Sequence, residues 1–360
     1  MKTINDFDLS EKKVLVRCDF NVPFDGQGNI LDDFKIKETI PTIKYLIEKE
    51  AKIILMSHLG DPEGKIKEEL RLEPIRKKLI QLLGSEVIMA PDCVGKAVEK
   101  MVSGMKSKDV LLLENLRFHK EEEENGEVFS KNLAKLANIY INDAFGTCHR
   151  EHASIFGVAK FLPAGAGLLL EKEITTLNKM MESPAKPMIA IIGGKKVETK
   201  AKFINKISEI ADFILISGLI KKEIEEKGTI LSHVEKIIKP IDEREGGKDI
   251  GPKTIEIFRE KIQAAKTVFW NGPFGKIEEE EFAEGTKAIA NAIIESKAFS
   301  VVGGGETAEF LSKLNLVSKF NHVSTGGGAM LSFLAGEQLP GIEALKWHPS
   351  FSKKHFFSEH

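Results

Sequence analysis

Short, nearly continuous apolar runs alternate with helix-period stretches along almost the whole chain, and this rhythm constrains the fold more than any single motif. In the first half the runs are "KVLVRCDF", "AKIILMSH", "EVIMAP", "VLLLENLR" and "IYINDAF". In the second half they are "PMIAIIGG", "DFILIS", "TVFWNGP" and "FSVVGGG", with a shorter one in "HVSTGGG". Amphipathic stretches such as "TIPTIKYLIEKE", "AKFINKISEIA" and "PKTIEIFREKIQAA" separate them. Strands buried on both faces and joined by helices predict an α/β fold with parallel sheets flanked by helices. At residues 163–187 "PAGAG" gives way to the charged helical segment "EKEITTLNKMMES" and then "PAKP". A domain boundary is expected there, with the helix as connector.

The chain's 360 residues suit about two domains. With 42% hydrophobic and 29% charged residues it can bury large cores, as ordinary soluble proteins do. A formal net charge of −2 argues against nucleic acid as a partner, since such a partner calls for a strongly basic face. "MKTINDFDLSEKK" has no apolar core of the signal-peptide kind, and no uncharged run approaches the ~18 residues of a membrane span. Cys18, Cys93 and Cys148 have no CxxC spacing and are expected as reduced thiols. The acidic runs "KEEEENGE" and "EEEEF" read as solvated surface. A cytoplasmic protein is expected.

Ligands of open α/β sheets bind beyond the carboxyl ends of the strands, so the residues after each run carry the functional signal. After the first-half strands come "DFNVP", "SHLGDP", "LRFHK" and "FGTCHR". These place Asp19, Asn21, His58, Arg117, His149 and Arg150 along one edge. Recurring cations there read either as a pocket for a small, multiply charged anion or as scattered surface charge. After the second-half strands come "GGKKVETK", "SGL", "NGPFG", "GGGET" and "STGGGA". Glycine-rich strand ends let backbone N–H groups and helix N-termini face an anion. No segment matches GxxxxGK[ST] or GxGxxG, so neither a Walker-type NTPase nor a standard dinucleotide fold is indicated. Lys196 and Lys200, four residues apart at a helix start, read as phosphate contacts or as a surface pair. Together the two halves suggest a two-substrate phosphoryl transferase that works by positioning and charge neutralisation. If donor and acceptor oxygens are already ionised, no general base is needed.

These motifs, in this order, resemble phosphoglycerate kinase. The ordered set also includes "LLLENLRFHKEEE", "INDAFGTCHREHAS", "GVAKFLPAGAG", "DIGPKT" and "LPGIEAL", and runs from about residue 10 to about residue 345. The resemblance implies two Rossmann-like domains joined by a helical hinge. It divides the chain into 1–166 for the 3-phosphoglycerate domain, 167–186 for the hinge, 187–345 for the nucleotide domain and 346–360 for a tail. The tail either packs on the N-terminal domain or is disordered. The implied reaction is phosphoryl transfer from 1,3-bisphosphoglycerate to MgADP, giving 3-phosphoglycerate and MgATP, with Mg²⁺ as cofactor and a monomer as the working unit. On that resemblance the 3-phosphoglycerate pocket comprises Asp19, Phe20, Asn21, Lys35, His58, Leu59, Gly60, Asp61, Arg117 and Arg150. The nucleotide site comprises Gly193, Gly194, Lys200, Gly218, Pro273, Glu278, Gly303, Gly304, Gly305, Glu306 and Thr307. Lys35, Arg150, Lys196 and Lys200 would act on the group in flight, with Gly326, Gly327 and Gly328 supplying further N–H groups. Glu306 would face the metal, or would simply complement its helix dipole.

Four departures from the family pattern fall on ligand-facing positions. Lys35 stands in "DDFKI" where the family has arginine, Asp61 in "SHLGDP" where arginine is usual, and Glu306 in "GGGET" where aspartate is usual. The usual "GGGMA" is reduced to "SGLI", and the segment from there to "DIGPKT" is short. An active kinase is the leading expectation. The alternative is a degenerate relative that binds ligand or a partner, and a kinase for another acyl phosphate is a third.

Overall fold

The computed structural model describes residues 1–194 and 197–346. Its contacts divide the chain into two units, Met1–Glu173 with the segment from Gln338 onward, and Ile174–Glu337. The segment "LPGIEAL", expected to end the second domain at 345, therefore belongs to the first unit, where Gly341 N donates to Cys148 O at 2.9 Å. A Cβ on Gly341 would come within 3.0 Å of Cys148 Cα, so a glycine is needed for this close approach. The tail beyond Lys346 lies outside the described residues.

The first unit is built on β1 (Lys13–Arg17), β2 (Lys52–Met56), β3 (Ile88–Met89), β4 (Val110–Leu112), β5 (Ile139–Asn142) and β6 (Ala164–Ala166). They form one parallel sheet in the order β3-β4-β2-β1-β5-β6. Strand β6 was not expected, because "AGA" carries none of the β-branched residues that announce a strand. Val14, Leu15 and Val16 of β1 are fully buried between flanking helices. Burial on both faces explains why the strand reads as continuous rather than alternating.

The second unit repeats the plan with β7 (Met188–Ile192), β8 (Phe213–Ile216), β9 (Ile237–Ile238), β10 (Glu243–Arg244), β11 (Asp249–Ile250), β12 (Thr267–Asn271), β13 (Phe299–Gly303) and β14 (His322–Val323). Its parallel sheet runs β14-β13-β12-β7-β8-β9, and β10 with β11 form a separate hairpin. The helix Leu168–Glu182 spans the boundary between the units and begins near the expected connector. Its first turn is capped by Asp143, whose Oδ1 accepts from Leu169 N at 2.9 Å and Leu170 N at 3.2 Å. No helix of the described residues is long and apolar enough to cross a membrane.

In both sheets the chain changes direction at the centre, between β1 and β5 and between β7 and β12. Such switch points open a crevice at the strands' carboxyl ends. Both sites described below sit there.

Candidate active site

In the first unit the loops after β1, β2, β4 and β5 bring most of the expected residues together. Lys35 is the second residue of the helix Phe34–Glu48, and its Nζ lies 2.8 Å from Asp19 Oδ2. Burial would raise the Asp19 carboxyl, but the Lys35 charge outweighs it and holds the group at about 2. Asn21 donates no charge but ties the loops, its Oδ1 accepting from Gly60 N at 2.9 Å. Phe20 N donates to Ser57 Oγ at 2.9 Å, and Leu59 N to Asn115 Oδ1 at 3.2 Å. Phe20 and Leu59 are buried, so their side chains pack the floor beneath the loops.

Arg117, 6% exposed, donates from Nη1 to Gly60 O at 2.7 Å, and its Nε lies 3.1 Å from Glu123. His58 is buried, with Nδ1 3.1 Å from Nη2 of Arg17. Burial and then the Arg17 charge push its imidazole well below the usual range, so it is neutral at neutral pH. His152 is held at about 3, first by burial and then by Arg117, Arg17 and Arg150. Three arginines are thus close enough to act on one imidazole. Glu123 beside Arg117 and the buried Glu122 near Arg17 offset part of this crowding of like charge. His149 is exposed and lies 3.4 Å from Arg150 Nε. Asp61 is also exposed, yet its charge reaches Arg117. Arg17 is the residue that sequence reading missed here. It sits inside a strand as a fully buried cation, and an arginine within an apolar run is the signal that could have found it.

In the second unit a cavity of about 780 Å³ opens at the switch point. Gly194, Lys200, Pro273, Glu278, Gly304, Gly305, Glu306, Thr307, Gly327 and Gly328, all singled out in the sequence, line it. Gly193 N donates to Asn271 O at 2.8 Å and Gly194 N to Pro273 O at 2.7 Å, clamping the two loops together. A Cβ on Gly193 would come within 2.2 Å of Pro273 O, so only glycine permits this approach. Gly304 has φ +96°, a conformation that turns β13 into the helix Gly305–Lys313 and leaves that helix's first N–H groups facing the cavity. Glu306 is exposed at the second position of this helix.

Lys200, in the helix Val197–Ile210, is 8% exposed, and its Nζ donates to Gly193 O at 2.5 Å. Burial pushes its ammonium down to about 8, against the pull of Glu306 and Glu223. Lys196 lies outside the described residues. Gly193, Gly218, Gly303 and Gly326 are not among the residues that line the cavity. Gly303 makes room for Met330, and Gly218 for the Glu243 carboxylate. The wall also contains Leu219, Gly246, Gly247, Lys248, Asn271, Gly272 and Lys276, which sequence reading did not single out. "GGK" at 246–248 forms the turn of the β10–β11 hairpin, and the double glycine was its only signal.

Among the described residues, Asp92, Cys93 and His119 are the one group whose possible metal-ligand atoms lie within 4.8 Å of one another. His119 Nε2 and Asp92 Oδ1 are 2.6 Å apart, and the Cys93 thiol donates to Glu114 O at 2.9 Å. The trio is thereby satisfied by its own hydrogen bonds.

A cation-rich set of loops on one parallel α/β sheet and a glycine-walled cavity with a buried lysine on another suit a class, the two-substrate phosphotransferases. A sequence profile described as phosphoglycerate kinase matches residues 4–227 and 220–337. The chain is 46% identical to phosphoglycerate kinase of Dictyoglomus turgidum, covering 95% of this chain and 98% of that protein. It is 43% identical to that of Pelotomaculum thermopropionicum, covering 96% and 98%. The crystal structure of phosphoglycerate kinase from Pyrococcus horikoshii superposes with a TM-score of 0.87 at 34% identity, covering 98% of this chain and all of that one. The chain belongs to the phosphoglycerate kinase family.

The comparisons also locate the short segment. The Pelotomaculum alignment spans 388 positions but uses 96% of 360 residues, about 346, so about 40 of its positions face a gap here. The profile matches in two pieces that overlap at 220–227, directly after "SGL".

Proposed function

We propose that the protein catalyses reversible phosphoryl transfer between 1,3-bisphosphoglycerate with MgADP and 3-phosphoglycerate with MgATP, and so serves glycolysis and gluconeogenesis. The observation that carries this reading is Lys200, a buried ammonium on the wall of the glycine cavity whose hydrogen bond, among the described residues, goes to a carbonyl. A cation so placed, with burial lowering its pKa, gains from a phosphate oxygen that stabilises its charged form.

Lys35, Arg117, Arg150 and the neutral His58 would bind the phosphate and carboxylate of the acceptor, with Asp19 fixing Lys35. The acceptor carboxylate is already ionised, so its oxygen attacks without losing a proton, and no residue is needed as base. Lys200 and Lys196 would neutralise charge that spreads over the transferring group, while N–H groups of Gly304, Gly305, Gly327 and Gly328 hold the nucleotide phosphates. The Glu306 carboxylate, exposed on the cavity wall among these N–H groups, suits a hard divalent cation. Magnesium bound there would neutralise nucleotide phosphate charge. Each unit holds one reactant, so transfer requires both to come within bonding reach. We expect that motion about the helix Leu168–Glu182. The cytoplasmic, monomeric reading rests on the family resemblance and on three free cysteines.

Mixing the protein with MgATP and 3-phosphoglycerate, and trapping acyl phosphate with hydroxylamine, tests the proposal. Hydroxamate that forms only with both substrates supports it. Nucleotide binding without hydroxamate would favour the degenerate reading, which no observation on the described residues otherwise favours.

A further inference from the structure

His58 is backed by a chain of buried polar groups, Arg17, Ser154 and Glu122. Arg17, 1% exposed, donates from Nε to Ser154 Oγ at 2.7 Å, from Nη2 to His58 Nδ1 at 3.1 Å, and from Nη1 to Cys18 O. Ser154 in turn donates to Glu122, from N to Oε2 at 2.9 Å and from Oγ to Oε1 at 2.6 Å. Ser154 and Glu122 are both fully buried. Tyr140, on β5, donates from its hydroxyl to Ser154 O at 2.9 Å, fixing that backbone as well.

Burial raises the Glu122 carboxyl while the Arg17 charge and the Ser154 hydrogen bonds favour its ionised form, and with Glu122 ionised each proton in this chain has one place. Arginine donates and never accepts, and a carboxylate accepts and never donates. The Ser154 hydroxyl must therefore give its proton to Glu122 and take the Arg17 Nε–H on its lone pair. His58 Nδ1, facing a guanidinium N–H, must be the unprotonated nitrogen, so the ring's proton resides on Nε2.

We infer that Glu122, Ser154 and Arg17 form a positioning relay that locks His58 as the Nε2–H tautomer and presents that N–H to the anionic substrate. The buried Glu122 carboxylate balances the Arg17 charge, and Ser154 transmits its direction. Without it Arg17 could rotate, and His58 would exchange tautomers or turn a bare nitrogen lone pair toward an anion. The relay rests on the proposed reading only for the identity of the anion.

The test is a long-range proton–nitrogen NMR spectrum of the full chain labelled with ¹⁵N-histidine, with His58 assigned from its absence in His58→Gln. The expected result is the Nε2–H pattern in the unliganded protein at neutral pH. In Ser154→Ala the pattern is expected to become mixed. KM for 3-phosphoglycerate should rise ~3–10-fold, the loss of about one hydrogen bond, while KM for MgATP stays unchanged. An Nδ1–H pattern in the unaltered protein would overturn the relay, as would Ser154→Ala with unchanged tautomer and KM. If Ser154→Ala does not fold, the spectrum of the unaltered chain still decides. A chain that never turns over 3-phosphoglycerate would sink the functional reading and leave the spectrum to judge the tautomer.

Discussion

Lys35 and Asp19 form an ion pair of 2.8 Å at the start of a helix, where a lysine faces the positive end of the dipole. Its position is unfavourable by itself, and Asp19 offsets that. The pair holds a point charge beside the loops proposed to bind the acceptor.

Replacing Lys35 by Arg is therefore expected to raise kcat by about 2–10-fold, because a planar fork can hold both Asp19 and a phosphoryl oxygen. Steady-state kinetics at saturating substrates checks this. An unchanged or lower kcat would remove Lys35 from the transition state.

Asp61 carries a negative charge that reaches Arg117 from an exposed position. Asp61→Arg is expected to lower KM for 3-phosphoglycerate by about threefold at low salt, and less at high salt, because exposed charges are screened. A KM that does not move at either ionic strength would show that this side chain does not act on the pocket.

Lys200 is a buried cation held at an energetic cost. Its pKa is lowered from 10.5 to about 8, so between these values the unfolded chain binds more protons and stability rises with pH. Below about 8 the cost is fully present. Lys200→Met is expected to raise unfolding stability at pH 7 by on the order of 1–3 kcal/mol, with the gain shrinking above pH 8 and gone near 10.5. The same variant should lose ~10²-fold or more in kcat. Denaturant unfolding at pH 7 and at pH 9.5 reads the first effect. Equal differences at the two pH values would contradict it.

His119 gives the opposite sign. Its hydrogen bond to Asp92 raises its pKa above 6.5, against burial. The pair's stabilisation is fully present below the unfolded histidine value and is lost as pH rises through the folded one. Asp92→Asn is expected to destabilise more at pH 6 than at pH 8.5. With Asp92 about half exposed, the difference is no more than about 1 kcal/mol. Thermal melts at both pH values measure it, and a loss independent of pH would contradict the assignment.

Particular residues show where the sequence was legible. β7 and β12 were readable because all five residues of each are buried, which leaves an apolar run through the whole of β7 and through Val268, Phe269 and Trp270 of β12. The glycines after them were readable because close backbone approach leaves glycine no substitute. β6 was hidden because two alanines and a glycine suffice where Phe7 and the N-terminal backbone crowd against it. The return of residues 338–346 to the first unit was hidden because its contacts, such as Gly341 on Cys148, span nearly two hundred residues. Lys248 and Arg17 escaped for a similar reason, since each depends on partners distant in sequence, Phe282 for one and Ser154 for the other. Local pattern reports burial and turns well, and it says little about which distant polar groups will meet.

The central claim, that both sites form one working phosphotransferase despite Lys35, Asp61 and Glu306, is tested most directly by steady-state turnover. The measurement follows 3-phosphoglycerate and MgATP, coupled to consumption of the acyl-phosphate product. We predict saturable turnover in both substrates that disappears when magnesium is chelated and in Lys200→Met. Saturable nucleotide binding with no acyl phosphate formed would contradict the account.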